Sequence, residues 1–379
     1  MAALGLSAGL AACSTVVPRT APPRPKPVAP PVVAPVPVAP GALPVDRERH
    51  RIALLVPLTG ANAAVGQSIA NAAALALADT GGTRLRVTNY DTGPGAAAAA
   101  ARAIGDGAEL FLGPLLAEDV RAVAVPAAAA HVPVVAFSND AGVAGDDVWL
   151  LGFSPTQSVE RVVRYAKSRG LTRFAGLIPQ GLYGRGASTT LIRAAEAAGG
   201  SVVAMQSYQR APKSMAAAVQ ALSRQKYDAL LLADSGRVAV QVLPLVRKNG
   251  GAGARVLGTE LWNAEPGLNA SPVMAGAWFA SVDDTNFDRL AVRYRGRYGR
   301  TPYRLASLGY DGVLLTARVA RDWQPGTPFP VAALGDPGGF SGVDGAFRFG
   351  PAHVAERALA VHQIGTGGGT VVSPAPTQF

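Results

Sequence analysis

The chain has 379 residues, 49% of them hydrophobic and 16% charged, with a formal net charge of +10. A single cysteine excludes an internal disulfide and a thiolate metal site. The 35 Lys and Arg are scattered, without a run of five like charges or interleaved aromatics, and this excludes a nucleic-acid groove.

Residues 10–13 read LAAC, an apolar residue and two small ones before Cys13. That is the lipobox pattern, and it marks Cys13 as the residue that takes a lipid. Residues 2–12 form an apolar, small-residue run too short to span a bilayer, which fits a signal peptide over 1–12. One feature departs from the pattern: no Lys or Arg precedes the run. Ser14 follows the cysteine where Asp would mark inner-membrane retention, so the anchor points to the outer membrane. Residues 13–46 then form the anchor and a tether. From 18 to 44 the chain is almost entirely Pro, Ala and Val, with Arg19, Arg24 and Lys26 as its only charges. Proline at that density removes amide donors and fixes φ, so the leader is expected to be disordered and extended. At about 3.1 Å per residue it reaches on the order of 100 Å.

From residue 52 the pattern alternates strand and helix. The apolar run 52–58 ends at Thr59 and Gly60 and reads as a buried parallel strand. A helix over 65–79, a strand over 84–90, a helix near 95–104, a strand over 109–112, a helix to His131 and a strand over 132–137 follow. A second series begins after 149–153. Its helices are expected at 156–169, 186–198, 214–225 and 237–248, and its strands at 174–178, 201–205, 229–233 and 255–258. Such regular alternation means parallel sheets covered by helices on both faces, and two series imply two lobes. Beyond them, 287–298 and 307–322 read as helices, and 340–349 with 357–364 as a hairpin-rich end. No repeat of 20 to 50 residues is visible.

Several pieces in this order resemble the type I periplasmic-binding-protein superfamily of leucine/isoleucine/valine receptors. They are LVPLTG at 55–60 with Gly66 and Gln67, Asp91, FLGP at 111–114, VPVV at 132–135, Tyr183 with Gly184, GYDG at 309–312 and FSGVDGAFRF at 340–349. The resemblance spans nearly everything from 52 to 364, and the ordered set carries it. It implies an α/β, two-lobed fold with two doubly wound parallel sheets, three crossovers and a ligand cleft between lobes. Lobe 1 is then expected at 47–152 plus 282–331 and lobe 2 at 153–281 plus 332–371, with a tail at 372–379. Within the superfamily, LGTELW at 257–262, YRGRYG at 294–299 and the leader are most similar to the penicillin-binding protein activators. Those relatives commonly carry a helical-repeat domain where this chain has its proline tether.

The resemblance gives as candidate cleft residues Thr59, Gly60, Gly113, Ser138, Asn139, Asp140, Tyr183, Glu260, Trp262, Tyr310 and Asp311. In amino-acid receptors of this fold, Ser-rich turns after the third and fourth strands hold the ligand carboxylate. Here those turns carry Glu118 and Asp140, whose like charge at close range costs several kcal/mol and argues against a free amino acid. Tyr183 and Glu260 match positions that support the other side of such a ligand. Simpler roles fit the same residues: Ser138, Asn139 and Asp140 as a turn cap, Tyr310 and Asp311 as a helix start, and Trp262 as an anchor at the lobe interface.

Catalysis has no support in the motifs. The four histidines, His50, His131, His353 and His362, do not pair at metal-ligand spacing. There is no nucleophile elbow and no Walker loop, and the glycine run at 365–369 leads into a polar tail instead of a helix. No enzyme activity, cofactor or metal is therefore expected. The resemblance implies a periplasmic, lipid-anchored regulator that binds and stimulates a bifunctional penicillin-binding protein in peptidoglycan synthesis. The alternative is a substrate-binding protein of an ABC-type uptake system for an amino acid, amide or peptide-like solute.

Overall fold

The structure, a computed structural model, describes residues 48–265, 267–268, 271–365 and 368–376. Cys13 and the tether expected over 13–46 lie outside the described residues.

The first sheet is built from β1 (His50–Val56), β2 (Leu85–Asp91), β3 (Leu110–Leu112), β4 (Val134–Ala136) and β5 (Val148–Leu150). Its order is β2-β1-β3-β4-β5, and every pair is parallel. Ile52 through Val56 are all buried, because helices cover both faces of the sheet. Three of these connect the strands: α1 (Ala63–Asp79), α2 (Ala96–Gly105) and α3 (Ala117–Ala129). Gly66 lets α1 press on the strand end, since a Cβ there would lie 1.8 Å from the Pro57 carbonyl oxygen.

The second series comprises α4 (Pro155–Ser168), β6 (Arg173–Pro179), α5 (Leu182–Ala197), β7 (Ser201–Tyr208), α6 (Pro212–Leu222), β8 (Ala229–Leu232), α7 (Gly236–Val246), β9 (Arg255–Gly258) and β10 (Trp278–Ser281). The chain then returns to the first lobe as α8 (Thr285–Tyr298) and α9 (Ala306–Val319). Leu290, Tyr294, Leu308 and Val313 of these helices share one apolar core with Ile52 and Leu54 of β1. A small antiparallel sheet follows, β11 (Phe340–Gly342), β12 (Gly345–Phe349) and β13 (Ala355–Arg357). Finally β14 (Ala360–Gly365) and β15 (Gly368–Ser373) add an antiparallel edge to the second sheet, whose order is β15-β14-β10-β9-β8-β6-β7.

The chain thus passes between the sheets three times, at 151–154, 282–284 and 358–359. One boundary differs from expectation. The resemblance puts residues 332–371 in the second lobe, yet Leu334, Phe340, Phe347 and Phe349 pack into the first-lobe core. Only from Leu359 does the chain join the core of the second. The reason is the hairpin's aromatic face, which needs an apolar partner and finds it on α9.

Candidate functional site

Parallel sheets present their loops at the carboxyl ends of the strands, and a crevice forms where the strand order reverses. A cavity of about 300 Å³ lies at this position between the two sheets. From the first lobe come Asn62 and Val65 after β1, Leu115 and Leu116 after β3, and Phe137 and Asn139 after β4. Glu260, Leu261 and Asn263 after β9 face them, with Ser281 and Val282 at the end of β10. Phe153 on the first crossover, Arg304 and Leu305 complete the lining. Most of this wall is hydrocarbon, and its polar groups are few, as in a site for a small organic molecule.

Glu260 is held from behind. Tyr183 donates its hydroxyl to Glu260 Oε1 at 2.9 Å and shares a 2.7 Å hydrogen bond with Thr259, while the Ser158 hydroxyl bonds Oε2. Burial pushes the Glu260 carboxyl up, against the lowering effect of those two hydroxyls. Burial also raises the Tyr183 hydroxyl far above its ordinary range, reinforced by the neighbouring Glu260 charge. Tyr183 therefore stays a neutral donor that aims the carboxyl.

Arg304 is the cation of the lining. Its Nε bonds Asp284 at 3.1 Å, and its Nη1 bonds Asp344 at 2.7 Å and Ser307 at 3.0 Å. The guanidinium carbon lies 4.3 Å from the centre of the Phe287 ring. Beneath it Asp311, fully buried on α9, accepts the amides of Val343 at 2.6 Å and Asp344 at 3.2 Å. Arg357 donates to the Leu151 carbonyl at 2.7 Å and packs 4.7 Å from the Phe153 ring. Two guanidinium groups and three carboxyl groups thus meet at the crossovers. Burial, then the Asp344 charge, pushes the Asp311 carboxyl up to about 7, against Arg357.

The expected cleft residues divide accordingly. Asn139 and Glu260 line the cavity, and Tyr183 supports Glu260. Thr59 and Gly60 form an exposed turn after β1. Thr59 donates its hydroxyl to Asp91 Oδ2 at 2.7 Å. Burial alone would raise the Asp91 carboxyl, but donors from Gly93, Thr59 and Leu58 outweigh it and hold it low. Gly113 is buried just after β3, and its φ of 89° and closeness to Leu55 admit no side chain. Ser138 is buried and accepts the Asp140 amide at 3.2 Å, and Asp140 caps the following turn. Trp262 is a core anchor bonded to the Asp234 carbonyl. Tyr310 hydrogen-bonds Asp79 on the outer face, and Asp311 belongs to the crossover cluster.

One electrostatic expectation is corrected. Asp140 pairs with Arg121 at 2.7 Å, and neither Asp140 nor Glu118 lines the cavity. Their repulsion therefore does not exclude a carboxylate ligand. Sequence reasoning missed Asn62, Phe153, Asn263 and Arg304, whose roles come from tertiary placement alone.

A family model described as periplasmic binding protein matches residues 50–369. The chain belongs to that family. Solved structures agree in fold. A Rhodospirillum rubrum protein named for a branched-chain amino acid ABC transporter has a TM-score of 0.75 at 21% identity, over 86% of this chain and 100% of that one. The leucine binding protein LivK of Thermotoga maritima reaches 0.68 at 19%, over 86% and 99%. An ABC-transporter solute binding protein of Rhodopseudomonas palustris, solved with 3,4-dihydroxybenzoic acid, reaches 0.67 at 19%, over 87% and 99%. Among curated sequences, an uncharacterized protein of Rickettsia prowazekii is 24% identical over 180 residues. That match covers 47% of this chain and spans about half the length of the relative, 48%. At these identities the structural likeness speaks for fold. Among the described residues no helix is long and apolar enough to cross a membrane.

Proposed function

We propose that this periplasmic binding protein captures a small organic solute between its lobes, as the binding component of an ABC-type uptake system. The observation that carries the proposal is the cavity of about 300 Å³ closed by residues of both lobes, with mainly apolar walls and polar groups at Glu260, Ser281, Arg304 and three asparagines. The solute has a hydrocarbon body and one polar head, within the class of amino acids, amides and aromatic acids. Glu260 receives an N–H or O–H of that head, positioned by Tyr183 and Ser158. Thermal unfolding across a panel of such solutes tests it, because a ligand at a hundred times its Kd stabilises the folded state by about 2.7 kcal/mol. A saturable rise in Tm with one chemical class supports the reading. A flat response across the whole panel removes it.

A second reading rests on the lipobox-like residues 10–13 and the proline-rich stretch behind them. In it Cys13 anchors the protein by lipid to the outer membrane, and the folded body stimulates a bifunctional penicillin-binding protein. Residues 46–379 mixed with each such synthase of the same cell decide it. Saturable stimulation of glycan or crosslink output favours this reading, and unchanged output with every synthase ends it.

A further inference from the structure

The outer face of the first lobe, remote from the cleft, holds a larger cavity of about 570 Å³ between the end of α1, the start of β2, α9 and the β11–β12 hairpin. Three arginines line it, Arg84, Arg318 and Arg321. Arg84 is fixed by Nη1 hydrogen bonds to the carbonyls of Ala320 at 2.9 Å and Arg321 at 2.8 Å. Those bonds quiet the carboxyl end of α9 and leave the rest of the guanidinium fork for other acceptors. Arg318 bonds Asp336 at 2.8 Å, and its guanidinium carbon lies 5.3 Å from the centre of the Phe340 ring. Arg321 is exposed and makes no side-chain hydrogen bond or ion pair with the described residues.

The one acid in the lining, Asp79, is already spent. It bonds Arg293 and the Tyr310 hydroxyl at the rim. Burial raises its carboxyl, and the bonds from Arg293 and Tyr310 outweigh that and hold it low. Thr80, Thr83 and Ser341 add hydroxyls over an apolar floor that includes Leu314 and Phe347. A second, smaller cavity of about 230 Å³ shares Leu314 and Ser341 with the first and carries Arg289 and Arg293. With Asp79 and Asp336 each paired to one arginine, positive charge still exceeds negative charge across the two adjoining cavities.

We propose that this outer cavity is a second binding site, for a small multivalent anion such as a tricarboxylate or an oligophosphate. Planar guanidinium forks match the paired oxygens of carboxylate and phosphate, and three guanidinium groups around one concavity, with Arg318 shared with Asp336, favour ligands with several such groups. The volume lies within the range of small-molecule sites. Monovalent anions engage a single fork and are outcompeted by salt.

Titration calorimetry with citrate and with inorganic triphosphate, against acetate as the monovalent control, tests the site and separates carboxylate from phosphate chemistry. Saturable 1:1 binding of one polyanion is expected. Arg321→Glu should weaken that binding at least tenfold, and so should Ser341→Asp, which adds a negative charge at an exposed position without removing an arginine. Glu260→Gln, in the cleft, should leave it within twofold. Three results overturn the proposal: no binding by either polyanion, binding that survives both charge changes, or binding lost in Glu260→Gln. Because the cleft solutes are read separately, failure here leaves the proposed function standing.

Discussion

Asp311→Asn should remove a pH dependence that the wild-type protein carries in its crossover cluster. The Asp311 carboxyl sits at about 7 instead of the ordinary 3.8, because burial and the Asp344 charge both disfavour its ionised form. Between those two values the folded chain keeps a proton that the unfolded chain releases. The contribution of this group to stability therefore falls as pH rises through the window, and that contribution is gone above 7. One pH unit is worth about 1.4 kcal/mol, so the whole window amounts to on the order of 4 kcal/mol. His362 works in the opposite sense. Burial lowers its pKa, so the unfolded chain takes a proton below about 6.5 that the folded chain refuses. Comparing wild type with the variant cancels that contribution. Asparagine keeps an acceptor for the Val343 amide and loses the longer bond to Asp344, a pH-independent cost of about 1 kcal/mol. Urea unfolding at pH 5 and pH 8 is the assay. Wild type should lose about 3 kcal/mol more than Asp311→Asn between the two. Parallel stability profiles would refute the assignment of the raised carboxyl to Asp311.

Other substitutions probe the frame of the cleft. Gly113→Ala puts a Cβ 2.1 Å from the Leu55 carbonyl oxygen at a φ of 89°. It should cost roughly 3 kcal/mol or more in urea unfolding, and an unchanged midpoint would show that the strand end is not tight. Arg304→Ala takes from buried Asp344 the guanidinium that hydrogen-bonds it and leaves only Arg357 nearby, at about 3 kcal/mol. Adding Asp344→Asn to it should recover part of that loss. A double variant no more stable than Arg304→Ala would show that the two side chains act independently.

Most of the fold was legible in the sequence, because strands buried on both faces write themselves as apolar runs. The run at 52–58 and the short ALLL of β8 are examples. What escaped was short or set by neighbours. The four residues of β10 follow loops with no periodic pattern, and α5 starts at Leu182, before the expected 186, so Tyr183 lies in its first turn. The hairpin at 340–349 was visible as a hairpin, but no local signal says which lobe its phenylalanines pack against. The candidate site was legible in part. Glu260 and Tyr183 came from the resemblance and do meet, while Arg304 is one arginine among many until the crossovers bury it. Asp311 gave a readable hint of a different kind. A carboxylate inside the apolar helix LGYDGVLL needs buried partners, and it has the hairpin amides and Arg357.

Solute binding in the cleft through Glu260 underlies the proposed function. Titration calorimetry of the most stabilising solute against wild type and Glu260→Gln tests this most directly. Saturable binding of one solute per chain is expected, weakened about tenfold in the variant by the loss of one charge-assisted hydrogen bond. Equal affinity in both proteins, or no saturable binding of any solute, would contradict it.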